Sequence, residues 1–187
     1  MSVNQTIGNF LNTLIKRDGQ RNNLFKVLAL NTKVLSLTNE DMVYIKAAQL
    51  PGRTNPTANV PYMGMNFAYN TSTVQYPGAE DYGLTFLFDA AGELRQKFEQ
   101  ASRLIFNDLT TSGNWNVPTL QDIMTVAPLN NQYEPAAYYH LYGVAFKGFD
   151  AVNFEIASGD GSMVELPCHI SFYYYKGPGS DTAYSGS

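Results

Sequence analysis

Alternating apolar and polar residues predict that most of this chain is β-strand. The clearest alternation runs over residues 164–175, where the even-numbered side chains from Leu166 to Tyr174 share one face of a strand. A strand at 82–88 follows the same rule. Further strands are predicted over residues 24–30, 42–50, 65–69, 71–76, 120–126, 137–147 and 149–156.

In two regions the pattern also predicts burial or a departure from the sheets. Residues 24–30 are apolar almost throughout, which is typical of a strand buried on both faces. Residues 53–61 show prolines and little periodicity and are interpreted as a long excursion from the sheets. After it, residues 65–69 and 71–76 are predicted to pair as a hairpin around Asn70.

Two segments show helical spacing instead of alternation. Residues 6–15 have one apolar face, which consists of Ile7, Phe10, Leu11, Leu14 and Ile15. The second segment begins at Asp89, a suitable helix N-cap, and runs to Phe106. Its apolar stripe consists of Leu94, Phe98, Ala101 and Ile105.

The order of these elements predicts a mainly β, or α+β, fold. It is an antiparallel β-barrel or a pair of packed sheets, with one flanking α-helix. We divide the chain into an N-terminal helical arm at 1–23, a β-barrel domain at 24–176 and a flexible C-terminal tail at 177–187.

The composition indicates that part of the surface is covered by other subunits. Charged residues make up 15% of the 187 residues, against about 25% in ordinary globular domains. The chain also contains 13 Tyr and 11 Phe. Since interface cores lose charge and gain aromatic side chains, we expect part of the surface to be buried against copies of the chain or other subunits.

The charge pattern excludes several classes of function. The net charge is −4 and the basic residues form no run, so no positive stripe is available for a nucleic acid. No apolar run reaches the roughly 18 residues of a membrane span, and we expect no membrane anchor. Cys168 is the single cysteine, which excludes an intrachain disulfide and indicates a cytoplasm-like compartment.

The reactive side chains form no convincing site. His140 and His169 lie in separate predicted strands without a second ligand at metal-binding spacing. Cys168 and His169 are adjacent, so in a strand they point to opposite faces. Residues 159–161 lack the further ligands of a calcium loop, and the tyrosines at 173–175 lack interleaved basic residues. We therefore predict no enzyme, no cofactor and no metal.

Four groups of residues occur in a characteristic order along the chain. They are Lys46–Gly52, which ends in Leu-Pro-Gly; Tyr76–Gly78 with Leu84–Asp89 and Arg95–Phe98; Leu141–Phe146 with Phe149–Val152; and Val164–Tyr175. In this order they resemble the tail tube proteins of contractile-tailed bacteriophages, which share their architecture with type VI secretion and bacteriocin tubes. The resemblance covers most of residues 24–175, but not the N-terminal helix or residues 107–135.

The resemblance implies a structural protein of a virion tail that is assembled in the bacterial host cytoplasm. Six copies would form a ring, stacked rings would form a tube, and double-stranded DNA would pass through the bore without specific binding. The implied partners are the tail sheath protein, the tape-measure protein, and the baseplate and tail-terminator proteins.

The resemblance also indicates two candidate sites. The excursion at 53–76 would form the contact between stacked rings, and its candidate residues are Arg53, Asn55, Tyr62, Asn66, Tyr69 and Tyr76. An acidic bore would repel phosphates and let DNA slide. The candidate lining residues are Glu80, Asp81, Glu155 and Glu165.

Three alternative functions stay open at this point. A baseplate tube-initiator would have the same fold in a single ring, and a secretion or bacteriocin tube subunit would have it in a tube that carries no genome. From a different class, a carbohydrate-binding β-sandwich would need exposed aromatic side chains on one flat face, for which Trp115, Tyr173 and Tyr175 are the candidates.

Overall fold

The structure is a computed structural model that describes residues 21–154 and 161–180. The predicted helix at 6–15, Glu155, the tail from residue 181 and, apart from Gly161, the tight turn that the sequence predicts at 158–161 lie outside the described residues. In chain order the strands are β1 (Phe25–Asn31), β2 (Ile45–Ala47), β3 (Thr57–Tyr62), β4 (Met65–Asn70), β5 (Tyr82–Leu87), β6 (Phe106–Asn107), β7 (Ser112–Gly113), β8 (Ile123–Pro128), β9 (Tyr139–Tyr142), β10 (Ala145–Phe149), β11 (Glu165–Ser171) and β12 (Tyr174–Lys176). The helices are α1 (Asn39–Val43) and α2 (Glu93–Ile105).

Two antiparallel four-stranded sheets make up the body of the molecule. The first sheet has the order β1-β8-β9-β12, and the second has the order β10-β11-β5-β2. Within residues 21–154 and 161–180 no ladder joins the two sheets, so they form a pair of packed sheets and not a closed barrel. The predicted mainly β, α+β fold class is confirmed.

The core lies between the two sheets and is closed by α2. On β11 the side chains of Leu166, Cys168 and Ile170 are fully buried, as the alternation predicts. Phe86 of β5 meets Phe98 of α2 edge to face, with ring centroids 5.2 Å apart. The stripe predicted on this helix is buried as well, since Leu94, Phe98 and Ala101 have almost no exposed surface.

The long helix begins later than the sequence predicts. Its first residue is Glu93, after Gly92 in the left-handed conformation at φ 70°. Asp89 still caps the helix, because its carboxylate accepts hydrogen bonds from the backbone N–H groups of Glu93 at 2.7 Å and Leu94 at 3.3 Å. The predicted role of Asp89 as a helix cap is confirmed. The prediction that the helix begins directly after Asp89 is wrong, because it begins at Glu93.

The strand predicted over residues 42–50 is mostly wrong. Thr38 and Asp41 form a capping box, in which each side chain binds the backbone N–H of the other residue. This cap starts α1, so Met42 lies in a helix and only β2 remains of the predicted strand. Burial raises the pKa of Asp41, but the hydrogen bond from Lys97 and those from Thr38 outweigh it and leave this pKa below its usual value.

The two longest predicted strands are each divided between the sheets. The predicted strand at 137–147 breaks at Gly143, which has φ 68°, and its halves β9 and β10 belong to different sheets. The strand at 164–175 breaks at Tyr173 between β11 and β12. The two breaks lie next to each other, because the Tyr173 ring packs on Gly143. A Cβ added to Gly143 would lie 2.2 Å from that ring.

Smaller deviations concern the ends of the sheets. β1 is an edge strand with only Val27 and Leu30 fully buried, so its predicted burial on both faces is wrong. The strand predicted at 149–156 is also wrong where it can be checked, since β10 ends at Phe149 and residues 150–154 are not in a strand.

Candidate assembly surface

A two-stranded hairpin made of β3 and β4 stands apart from both sheets. Its strands pair only with each other, and all of their residues are exposed. The turn consists of Met63 at φ 48° and Gly64 at φ 76°, as a two-residue hairpin loop of type I′ requires. The sequence prediction of a hairpin around Asn70 is therefore wrong, because the chain reverses seven residues earlier.

The hairpin is amphipathic even though neither face is buried. Residues directly opposite each other in an antiparallel pair share a face. One face, here called the apolar hairpin face, contains the pairs Ala58–Tyr69, Val60–Phe67 and Tyr62–Met65. The opposite face contains the pairs Thr57–Asn70, Asn59–Ala68 and Pro61–Asn66. Only one of the two faces is thus suited to burial.

The large side chains of the apolar hairpin face are open to solvent in the single chain. Their exposed fractions range from 40% at Phe67 to 61% at Tyr62 and Met65. Apolar groups gathered on one face and left uncovered mark an interaction site. Two strands alone are marginally stable in water, so a contact on this face would also stabilise the hairpin.

The two arms of the excursion are joined to each other at the base of the hairpin by hydrogen bonds. Thr54 and Gln75 exchange two of them, each 2.9 Å long. The N–H and the hydroxyl of Thr71 both donate to the carbonyl of Pro56 at 2.8 Å. The pairing of the two arms therefore continues beyond the ends of β3 and β4.

The structure divides the predicted ring-stacking residues into four groups. Tyr62 and Tyr69 lie on the apolar hairpin face, and Asn66 lies on the opposite face. Arg53 and Asn55 are exposed near the base. Tyr76 packs against the core instead, with its ring 5.6 Å from that of Tyr175.

Sequence reasoning missed Val60, Phe67 and Met65, which supply much of the apolar hairpin face. A signal for them was present, because apolar residues alternate from Ala58 to Tyr62 and again from Met65 to Tyr69. Met-Gly at the turn is not one of the dipeptides that identify a type I′ hairpin from sequence.

The predicted acidic residues lie among cations. Asp81 contacts Nδ1 of His169 at 2.9 Å and Nζ of Lys147 at 4.0 Å. Glu165 forms an ion pair with Lys46, and the backbone carbonyl of Glu80 accepts a hydrogen bond from Lys147 at 2.8 Å. Glu80 and Asp81 precede β5, whereas Glu165 pairs with Leu87 at the other end of that strand. The structure therefore does not gather the described candidates at one place.

The aromatic residues named for sugar binding do not form one platform. Trp115 is 94% exposed, whereas Tyr175 packs against Tyr76 and Tyr139. Tyr173 lies over Gly143 in the crossing between the sheets. Its hydroxyl donates a hydrogen bond to the carbonyl of Pro118 at 3.4 Å.

The reactive side chains have structural partners. His140 contacts the hydroxyl of Thr125 at 3.0 Å. Burial, with a smaller contribution from Asp150, raises the pKa of the Cys168 thiol to about 12.

Among the described residues no group of three potential metal ligands comes together, and none of the described helices is long and apolar enough to span a membrane.

Comparison with known proteins gives a match in structure but none in sequence. No protein-family model matches the chain, and neither does any of the curated proteins. A chain of the PVC sheath–tube complex, an extracellular contractile injection system in its extended state, aligns with a TM-score of 0.50 and 10% identity. The alignment covers 89% of this chain and 95% of that chain.

Two further structures align slightly less well. A chain of the PVC sheath/tube terminator in the extended state has a TM-score of 0.49 and 9% identity, over 82% of this chain and 91% of that one. A chain of the anti-feeding prophage baseplate has a TM-score of 0.48 and 13% identity, over 74% and 81%. The likeness to the sheath–tube complex shows that the chain has a fold found in contractile injection systems. The finer likeness to a phage tail tube stays a prediction.

Proposed function

We propose that this chain is the repeating structural subunit of a phage tail tube and performs no catalysis. The fold, which also occurs in the sheath–tube complex of a contractile injection system, supports this class of protein. The observation that carries the proposal is the apolar hairpin face, which gathers large apolar side chains on one face and is exposed in the single chain. A subunit that works alone would have no reason to keep such a face open.

The hairpin is proposed to connect one ring to the next. Burying apolar surface contributes about 25 cal/mol per Å², so the side chains of the apolar hairpin face can supply much of the stacking energy. Because the hairpin of one copy would meet a different surface of the next copy, the contact is heterologous and repeats along an axis. Stacking of this kind produces a tube.

Lateral contacts within a ring are proposed to cover the edges of the sheets. The first sheet ends in β1 and β12, and the second ends in β10 and β2. Exposed edge strands present unpaired backbone groups that invite further pairing. Six copies that join these edges around an axis would remove them, as the resemblance to tail tube proteins implies.

The outer side of the second sheet is proposed to line the bore. Asp81 and Glu165 form ion pairs with His169 and Lys46, and Lys147 binds the backbone carbonyl of Glu80, so the proposed lining would be acidic and partly neutralised. Such a surface would let double-stranded DNA slide without binding it. Replacing Glu80 and Glu165 by Gln should slow genome ejection without changing tube length, and unchanged ejection kinetics would contradict the lining role.

The remaining partners of the proposed tube follow from the same resemblance. A tail sheath protein would surround the tube, a tape-measure protein would fill it before the DNA, and baseplate and tail-terminator proteins would close its two ends. The proposed location is the virion tail, after assembly in the host cytoplasm.

Substitutions on the two hairpin faces test the stacking role. Val60→Asp with Phe67→Asp places two carboxylates on the apolar hairpin face, so we expect monomers or single rings and no tubes in sedimentation and electron microscopy. Asn59→Asp with Asn66→Asp adds the same charge to the opposite face and should leave assembly intact. Normal tubes from the first variant would contradict the assignment of this face.

A further inference from the structure

An apolar pocket lies where the first turn of α2 meets α1. Its volume is about 620 Å³, and more of its wall is apolar than polar. Val43 and Tyr44 line it and are 79% and 41% exposed, whereas Leu94 in the same lining is fully buried. Glu40 and Glu93 lie in this lining as well. These five residues define what is here called the α2 pocket.

Two carboxylates of the α2 pocket have no cationic partner in the described part of the chain. Asp41, which also lines the pocket, is already bound to Lys97 at 2.7 Å. Glu40 and Glu93 are exposed and form no ion pair with any residue in 21–154 or 161–180. The pocket therefore combines an apolar wall with two negative charges that a cationic partner can neutralise.

A patch of opposite charge lies at the other end of α2. Trp115 is the single tryptophan of the chain and is 94% exposed, and Leu104 in the last turn of α2 is 57% exposed. Both line one cavity of about 340 Å³ together with Lys33. Arg103, next to Leu104, is exposed. These four residues are here called the Trp115 patch, and neither of its cations forms an ion pair with another described residue.

Both surfaces are held in place by α2. Asn114, directly before Trp115, is bound to the end of the helix. Its N–H donates to the carbonyl of Ile105 at 2.8 Å, and its side-chain amide donates to that of Leu104 at 3.3 Å. Glu93 and Leu104 are separated by about 17 Å along the helix axis. The α2 pocket and the Trp115 patch therefore lie at opposite ends of one rigid element.

We propose that the Trp115 patch of one copy binds in the α2 pocket of the next copy. The indole of Trp115 fills the pocket, as aromatic anchors do at protein interfaces. Lys33 and Arg103 meet the two open carboxylates, and this charge complementarity fixes the orientation. The apolar hairpin face does not match the pocket in this way, because β3 and β4 contain no charged residue.

The proposed contact is heterologous and repeats from copy to copy, because the two surfaces differ and lie at opposite ends of α2. It adds a second contact to the one assigned to the hairpin. The proposal rests on the proposed function for its occupant, since a second copy is available only if the chain associates with itself.

Cross-linking of two full-length variants tests this contact without requiring tubes. One variant carries Val117→Cys, at a residue that is 56% exposed and close to Trp115 in the chain. The other carries Ala91→Cys, at an exposed residue that lines the α2 pocket. Native Cys168 is buried and its thiol pKa is raised to about 12, so it contributes little background. With a short bis-maleimide we expect the mixture to give about tenfold more covalent dimer than either variant alone.

Two substitutions of equal chemistry show whether the anchor is specific. Trp115→Asp in the first variant removes the indole and should lower the dimer yield about tenfold, as loss of an interface anchor implies. Leu109→Asp adds the same charge at an apolar residue that is also 94% exposed but does not line the cavity of the patch. It should leave the yield within about twofold.

A charge exchange tests the orientation. Arg103→Glu in the first variant places a carboxylate opposite the acidic pocket, so we expect the dimer yield to fall about fivefold. Glu93→Lys in the second variant should restore most of that loss. A yield that stays low in this combination would overturn the assignment of this charge pair.

The outcomes keep this contact and the proposed tube apart. A mixture that gives no more dimer than the single variants would overturn the contact, even if the chain forms tubes. Equal losses with Trp115→Asp and Leu109→Asp would also overturn it. Specific cross-linking without rings or tubes would support the contact and contradict the proposed tube function.

Discussion

His169 is the titratable side chain with the most specific surroundings in the described part of the chain. Its Nδ1 lies 2.9 Å from Asp81 and its Nε2 lies 3.3 Å from Asp150. A neutral imidazole can donate through only one nitrogen, so both contacts are favourable only when the ring is protonated. The hydrogen bond to Asp150, followed by that to Asp81, raises the pKa of His169 despite some burial.

This geometry predicts a decrease in stability with rising pH. A raised pKa in the folded state means that His169 stabilises the fold fully below its ordinary pKa of 6.5. The contribution is lost as the pH rises above that value through the folded-state pKa. Exposed ion pairs are worth about 0.2–1 kcal/mol each, so we expect the melting temperature to fall by about 1–4 °C between pH 6 and pH 8.5.

Two variants show whether the effect belongs to this residue. His169→Gln should remove most of the pH dependence, measured by thermal unfolding in dilute protein. His140→Gln should retain it, because His140 contacts the hydroxyl of Thr125 and not a carboxylate. A pH dependence that is the same in all three proteins would rule out the role of His169.

At the scale of elements, the crossings between the sheets depend on one close contact. Gly143 has a positive φ, and the ring of Tyr173 occupies the space that a side chain would need. Gly143→Ala would add strain of about 1–2 kcal/mol from the left-handed conformation and overpacking of about 1–3 kcal/mol. We expect a fall in melting temperature of about 5–15 °C.

Gly148 of β10 provides the matched control for this substitution. A Cβ there would meet nothing within 4 Å and its φ is not in the left-handed region. Gly148→Ala should therefore change the melting temperature by less than about 2 °C. Equal effects of the two substitutions would show that the Gly143–Tyr173 contact is not the reason why residue 143 must be glycine.

The elements that sequence reasoning predicted well are those whose pattern meets the core directly. β5, α2 and β11 each present a regular apolar face to the other sheet or to the helix, so local periodicity and tertiary burial agree. The failures occur where the chain leaves one sheet for the other. Alternation continues through Gly143 and through Phe172, and nothing in it reveals that the next residues pair with a different sheet.

The candidate site shows a similar limit. The sequence indicates that residues 53–76 are an excursion and a candidate contact, but it predicts the turn at Asn70 and does not identify Val60 and Phe67. The alternation of apolar residues in β3 and β4 produces the apolar hairpin face, which is not buried within the chain. Contacts with the core therefore could not help to place this hairpin. The ion pairs of Asp81 and Glu165 join residues far apart in sequence and could not be predicted from spacing.

At the scale of the whole molecule, several surfaces indicate a subunit and not a protein that acts alone. The apolar hairpin face is uncovered, and both sheets end in edge strands. The low charge of the sequence adds to this, because few groups keep such surfaces soluble. Self-assembly into rings and a stacked tube would bury these surfaces together.

Electron microscopy of the concentrated full-length recombinant protein tests this account most directly. We expect rings with a central hole, six-fold in averaged views, or hollow tubes made by stacking them. Particles without a central channel, or single chains across the whole concentration range, would contradict the proposal that the chain is a tube subunit.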